Sequence, residues 1–464
     1  KMSVIKLKMG VVDNINRQIV DIPVLIDENG QPFLALIKYC MEVFVGSSIR
    51  ISSIKQAVYG VKLYLDFAYA NRDQCQNSQE LFKRFFYSLD KGTIDDEGFD
   101  PTGLYWYGWS ENTKTIYTQA VSYFSDWLHE NYGNELLNPL VRADYRTQVI
   151  LYYAYYYKQK NNILSHIDSE QNKDKNNYTR ALRTHKSVRK ESGDEQQFPL
   201  HLFIKLMKYG FKNVRDLRAA LRDKLILLLM HGTGLRESEA LHLWAIDVDM
   251  MTRTVKIFHP QMGEAPNRWK SKFSQKFDRE QYLKEVYSLK PRTVLNNNQN
   301  LGWKSKVVDS QGALPLLWYS QEIKNLFFKL WEVYLLEIAS LKLNHPYAFI
   351  NFNKKDFGEP YTLSSFNKNY EVSMAKIDTE VSKSLGTSTH GHRHNYAMTL
   401  KRMGVNPRII QRALHHSSID SQITYTSESQ AKALKSFSEI EQELNKHKNP
   451  HEDISWDELL KFHY

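Results

Sequence analysis

The spacing of apolar positions changes character along this chain and divides it. Over the first forty-odd residues two short β-type runs, Ile19 to Ile26 and Pro32 to Ile37, flank the turn-like Asp27-Glu28-Asn29-Gly30. From Ser47 to about Lys160 the period becomes helical. Ile54, Val58, Val61 and Leu65 share one face, and Tyr117, Ala120, Val121, Phe124 and Trp127 recur at three or four. The near-continuous tyrosines of Tyr152 to Tyr157 read first as packing with a wet hydroxyl rim, and second as a surface for stacking bases. Residues 161–197 are polar and charged and read as a linker, either plainly solvated or tracking a DNA backbone.

A second, larger domain is expected from near Pro199. Leu202 to Met230 reads as helical and strongly apolar at its end, and further helices are expected over Gln321 to Leu341 and after Ser364. Between them lie two β-type stretches, Thr254 to Phe258 and Ala313 to Trp318. Residues 259–312 separate these as an elaborated hairpin. After Ser427 the spacing of Leu434, Phe437, Ile440 and Leu444 is amphipathic, and Ser455-x-x-Glu458 is a capping box ahead of a short helix. The fold class is therefore mainly α with a small β-sheet, an α+β chain. Its expected segments are 1–46, 47–160, 161–197, 198–428 and 429–464.

Composition narrows this picture only a little. A chain of 464 residues that is 42% hydrophobic and 13% aromatic supports two or three real cores, not disorder. Lys plus Arg exceed Asp plus Glu by 62 to 52, for a net charge of +10, which fits a polyanionic partner without identifying one. The two cysteines, Cys40 and Cys75, make no CxxC pair, so no disulfide framework or cysteine zinc site is expected. The longest strongly apolar run, Leu225 to Met230, is too short to span a bilayer, and Lys1-Met2-Ser3-Val4 lacks a signal-peptide pattern. A cytoplasmic, nucleoid-associated protein is expected, with no membrane partner.

The chemistry is concentrated in a few boxes. Arg236 follows His231-Gly232-Thr233-Gly234-Leu235 and is expected in the first turn of a new helix. Glu239, three residues on, would hold its guanidinium. His390-Gly391-His392-Arg393-His394 opens a helix that ends at Gly404, and Asn406-Pro407 starts the next, which leads to Leu414-His415-His416-Ser417-Ser418. Tyr425 comes nine positions after His416. Two arginines to neutralise a phosphate, histidines to hydrogen-bond it or move protons, and a tyrosine to attack it suffice for phosphodiester cleavage without a metal. The run His390, His392, His394 also suggests a metal site. Few carboxylates lie nearby and an arginine sits in its middle, so no metal and no other cofactor is expected.

Arg236-x-x-Glu239, His390-x-x-Arg393-His394, Leu414-x-His416-Ser417-Ser418 and Tyr425, in this order, closely resemble the tyrosine recombinase (phage-integrase) family. Gly302-Trp303-Lys304, His345-Pro346-Tyr347-Ala348-Phe349 and the His390 box are similar to the gamma-mobile-trio recombinases of bacterial mobile elements. His415 departs from the pattern, standing where the family commonly has glycine. The resemblance implies a helical core-binding domain over 47–160 and a mixed α/β catalytic domain over 198–428, closing on double-stranded DNA as a C-shaped clamp. It also implies cleavage and rejoining through a 3′-phosphotyrosyl intermediate, with Arg236, His390, Arg393, His416 and Tyr425 catalytic and Glu239 supporting. A hairpin lysine would be the general acid. Lys256, Lys270, Lys272, Lys304 and Lys306 are candidates, and Lys304 is preferred because Gly302-Trp303-Lys304 lies shortly before the expected strand Ala313 to Leu317.

The implied assembly is a homo-tetramer on two DNA sites, a monomer or dimer when free, with accessory proteins as further partners. The tail 429–464 would dock on its own domain or on a neighbour. Type IB topoisomerases use similar residues to relax DNA, and a DNA-binding regulator that has lost catalysis is a third reading. The separate helical domain, the linker and the full set of boxes favour the recombinase.

Overall fold

The computed structural model describes residues 5–12, 19–27, 29–45, 51–160, 178–183, 197–212, 216–266, 277–295, 297–305, 308–314 and 316–415. The chain forms two compact units, Lys1–Lys190 and Glu191–Tyr464.

In the first unit, β1 (Ile5–Val12) and β2 (Ile19–Ile26) form an antiparallel ribbon in which Ile5 faces Ile26 and Val12 faces Ile19. The first expected β-type run is thus a strand, whereas the second, Pro32–Ile37, keeps only a single antiparallel bridge from Pro32 to Ile26. Residues Leu34–Tyr39 are helix α1, continued by a π turn over Cys40–Val45. Leu36, Tyr39 and Cys40 of this segment are buried with Ile22, Val24 and Leu25 of β2, a helical i, i+3, i+4 pattern that a six-residue window hides. Helices α2 (Ile51–Asn71), α3 (Ser78–Lys91) and α4 (Glu111–Tyr132) complete the unit.

Helix α2 buries two faces. Ile54, Val58 and Val61 meet Phe124 and Trp127, whereas Leu63 and Phe67 meet Phe82, Phe85, Leu89 and Val121. The side chains of Asn77 and Ser110 cap α3 and α4 by accepting the amides of Glu80 and Thr113. Tyr152 and Tyr153 on α5 (Tyr145–Lys160) are 61% and 66% exposed, so packing does not account for these two. The polar run 161–197 is also not linker throughout. Residues Tyr178–Arg180 form β4, antiparallel to β3 (Leu140–Arg142). Arg180 pairs with Asp126, and the Leu182 amide donates to Asn138 Oδ1 at 2.9 Å, which fixes this stretch to the first unit.

The second unit is built around a buried helix. The expected helix over Leu202–Met230 is two helices. Helix α6 (Leu200–Lys205) runs into a π turn ending at Gly210, and α7 (Leu217–Thr233) starts afresh, with Asp216 capping the amide of Arg218 at 3.0 Å. Leu225 to Thr233 are all buried, packed by α10 (Gln321–Ala339), α11 (Leu363–Ala375) and α12 (Thr389–Arg402). This explains a run with no polar face. The short α8 (Glu237–Ala240) follows α7.

Strands β5 (Val248–Asp249) and β6 (Thr254–Val255) pair, and β7 (Ile257–Phe258) pairs antiparallel with β8 (Ala313–Leu314). The second pairing closes the expected hairpin over 259–312, although β8 stops well short of Trp318. The excursion between them holds α9 (Arg279–Tyr287) and is tied down by buried arginines. Arg279 lies 4.0 Å from the Trp244 ring and 4.1 Å from that of Phe258, and forks onto Asp247 at 2.7 and 2.8 Å. Arg292 donates to the carbonyls of Leu241, Tyr361 and Gln299. Among the described residues no helix is long and apolar enough to cross a membrane.

Candidate active site

Helix α7 ends where Gly234 takes a φ of +69° and donates its amide to Met230 O at 3.0 Å. A Cβ at this position would lie 2.4 Å from the Tyr396 ring, so both backbone and space call for glycine. The turn delivers Arg236 as the N-cap of α8, one position ahead of the expected first turn. Arg236 Nη1 donates to Glu239 Oε1 at 2.8 Å and to Ser305 Oγ at 2.9 Å. The Ser305 hydroxyl in turn donates to the same Oε1 at 2.7 Å. The Arg236 amide donates to Glu239 Oε2 at 3.2 Å. Burial alone would raise the Glu239 carboxyl, but Arg236, His415, the Ser305 hydroxyl and Arg393 outweigh it and hold it low, as a carboxylate. Both Arg236 side-chain bonds leave from Nη1, and the side chain is 18% exposed, so Nε and Nη2 can meet an anion.

Helix α12 presents the second box. Its start is joined to α8 by the Thr389 hydroxyl, which donates to Glu237 Oε2 at 2.8 Å. Arg393 is 4% exposed and spans two carbonyls, donating to Gly234 O at 2.5 Å and to Leu414 O. It thus ties the α7–α8 turn to the end of α13 (Pro407–Ala413). Burial, then the Arg236 charge, lowers Arg393 to about 10, still a cation at neutral pH. His390 and His394 stand one turn apart with rings edge-to-face at 4.7 Å. His390 reaches solvent. Even so, the protein packed around it, followed by His394, Arg393, Arg236 and Lys304, depresses it to about 4, so its imidazole is neutral at pH 7.

The three histidines of the run do not converge, because residues two apart on a helix point about 200° apart. His392 faces the core and is fully buried, stacked on Phe198 at 3.9 Å. The Tyr370 hydroxyl spends its proton on Thr387 O at 2.9 Å, so it accepts from His392 Nε2 at 3.0 Å. His392 Nδ1 is then the acceptor for His231 Nδ1 at 3.0 Å. The expectation that the whole run faces a phosphate is corrected for His392: it braces α12 against α7 and α11. Among the described residues no group of histidines, cysteines and carboxylates gathers to hold a metal.

Lys304 is exposed and adjoins Ser305, whose hydroxyl bonds Arg236 and Glu239, and its charge is the last of those that depress His390. Trp303 beside it is buried, edge-on to His242 at 5.7 Å and to His259 at 5.3 Å. Lys256 lies elsewhere, donating to Gln311 Oε1 at 2.9 Å. His415 is buried and has a φ of +53°. That left-handed conformation is one glycine adopts freely, which accounts for glycine being common there. His416, Tyr425, Lys270, Lys272, Lys306 and the tail 429–464 lie outside the described residues. Arg236, Glu239, Lys304, His390 and Arg393 thus share one site rich in basic side chains. Sequence reading missed Ser305, because its partners are 66 and 69 residues away.

These geometries predict acid lability. Burial lowers His390 to about 4, His392 to about 3 and His394 below its ordinary value. Unfolded histidines titrate near about 6.5, so below that pH the unfolded chain binds more protons than the native one. The histidine contribution is complete above pH ~6.5 and drains away as pH falls toward ~4. The urea midpoint is expected to drop from pH 7 to pH 5, and to drop less in His392→Asn. Equal slopes in the two proteins would contradict a neutral, buried His392.

Residues 208–432 match the family model described as the phage integrase family. Among solved structures the chain is similar to XerH site-specific recombinase bound to difH substrate in a pre-cleavage complex. That match has 13% identity over 85% of this chain and 79% of the other, with a TM-score of 0.42. It is also similar to the Tn1549 transposon integrase in complex with transposon right end DNA, at 14% identity over 81% and 99%, TM-score 0.33. A third similarity is to XerA recombinase, at 14% identity over 87% and 96%, TM-score 0.29. No curated protein matches the chain in sequence.

Proposed function

Because this chain carries a phage integrase family domain over residues 208–432, we propose that it is a site-specific recombinase of a mobile genetic element, cleaving and rejoining duplex DNA through a 3′-phosphotyrosyl link. The observation that carries this reading is the convergence of Arg236, Arg393, His390 and Lys304 on one exposed, positively charged site, with Glu239 orienting Arg236. Arg236 and Arg393 bind the non-bridging oxygens of the scissile phosphate and gain most as charge builds in the pentacoordinate state. The Tyr425 oxygen forms its bond to phosphorus as the phosphorus–O5′ bond breaks. The phenol proton passes to a histidine, His390 or His416, and Lys304 gives its proton to the departing 5′ oxygen. A 5′-hydroxyl from a partner strand then reverses these steps. Bond energy stays in the phosphotyrosine, so neither nucleotide nor metal is required.

A neutral His390 can accept a proton on one nitrogen while donating from the other. A bound phosphate, replacing repulsion by attraction, raises its pKa. Exchange of strands needs four protomers on two duplexes, assembled from a free monomer or dimer. Affinity should fall steeply with salt as phosphate-bound cations are released.

The test is covalent capture. Wild-type protein is incubated with a library of nicked duplexes, with chelator present, and DNA left attached after denaturation is sequenced. The expected result is an adduct whose DNA shares one motif, formed at a rate the chelator does not change. Relaxation of any supercoiled plasmid, with adducts spread over unrelated sequences, would make the protein a relaxing enzyme of the type IB kind instead. DNA binding without any adduct would leave a regulator.

A further inference from the structure

Residues 301–305 alternate strictly: Leu301, Trp303 and Ser305 are buried, and Gly302 and Lys304 are exposed. In an extended segment this alternation throws Lys304 to the side opposite its neighbours' anchors. Two anchors run through His242 and His259, not through the arginine or its carboxylate. Leu301 O accepts from His242 Nε2 at 3.2 Å, and Trp303 packs between His242 and His259. The third differs. Ser305 Oγ accepts from Arg236 Nη1 and donates to Glu239 Oε1, at 2.9 and 2.7 Å, so both capacities of its hydroxyl are used on the residues that orient the first arginine. Glu239 Oε1 thereby receives one bond from Arg236 and one from the backbone neighbour of Lys304.

We propose that Ser305 is the positioning residue for Lys304, clamping the lysine segment to the Arg236–Glu239 pair so that proton donor and phosphate ligand are held in one register. This rests on the reading of Lys304 as donor to the leaving oxygen. Without the clamp, the exposed lysine keeps its charge but loses its fixed reach to the bond being broken, and proximity is what makes a proton donor effective.

Sulfur in place of the 5′ bridging oxygen separates the possibilities, because a thiolate leaves without needing a proton. Single-turnover cleavage is measured on a nicked duplex carrying the captured motif, with oxygen or sulfur at that bridge, for wild type, Lys304→Ala, Ser305→Ala and Arg236→Ala. On oxygen, Lys304→Ala and Ser305→Ala should each slow cleavage about 10- to 100-fold. On sulfur both should return to within roughly threefold of wild type, while Arg236→Ala stays slow on both. Ser305→Cys fills nearly the same space with a weaker donor and acceptor. It should show the same sulfur rescue from a smaller loss, and it serves if the alanine variant does not fold. If sulfur rescues Lys304→Ala but not Ser305→Ala, Ser305 works only through Arg236 and the inference falls while the proposed function stands. An unchanged Ser305→Ala on oxygen overturns it equally. If sulfur fails to rescue Lys304→Ala, the lysine is not the proton donor, and that part of the proposed function fails too.

Discussion

Tyr425→Phe is expected to remove covalent capture while leaving DNA binding within about twofold of wild type. Phenylalanine keeps the ring and deletes one oxygen, so the change tests nucleophilicity and little else. The phosphate would still meet Arg236 and Arg393, whose anchors on Glu239, Ser305, Gly234 and Leu414 do not involve residue 425. Deleting a covalent nucleophile leaves only the acceleration supplied by binding and charge stabilisation, so a loss of roughly 10⁴-fold or more is expected. A nicked substrate makes the measurement clean, because the short fragment released with the 5′-hydroxyl diffuses away and the wild-type adduct accumulates. The chain has 28 tyrosines, so the outcome is informative either way. An undiminished adduct in Tyr425→Phe would move the nucleophile to another of them.

How legible the molecule was in sequence depended on how local each constraint is. Helix α4 follows from periodicity, because a helix that buries a face must repeat it every three or four residues, and the end of α7 follows from an unbroken apolar run that only full burial accommodates. Glu239 was readable from Arg236 because i, i+3 partners lie on one helical turn. The β1–β2 ribbon was not readable, since Leu34–Tyr39 has the same short apolar look as a strand and only its packing against Ile22 and Val24 settles it. His392 misled for a related reason. Three histidines at alternate positions look like one set until a helix sends the middle one to Phe198 and Tyr370. Ser305 had no local signal at all: a serine after a lysine is ordinary, and its meaning comes from a carboxylate 66 residues earlier.

Arg393→Lys is the second large effect, expected to slow cleavage about 10²- to 10³-fold even though the charge is kept. The fork of the guanidinium meets Gly234 O and Leu414 O and still leaves donors for a phosphate, whereas an ammonium is a single point that cannot hold both carbonyls. A buried carbonyl left unmet costs about 1–3 kcal/mol, so the melting temperature should fall together with the rate. Leu414 is also two residues before His416, which makes Arg393 a tie on the segment that carries the second histidine as well as a ligand for phosphate. Arg393→Lys should therefore loosen the placement of His416. Combined with His416→Ala, it should cost much less than the product of the two separate losses, since the second change removes something the first has already displaced. Rate losses that multiply fully would show that Arg393 acts on the phosphate alone. A rate loss without any drop in stability would show that its two carbonyl bonds contribute nothing to holding the site.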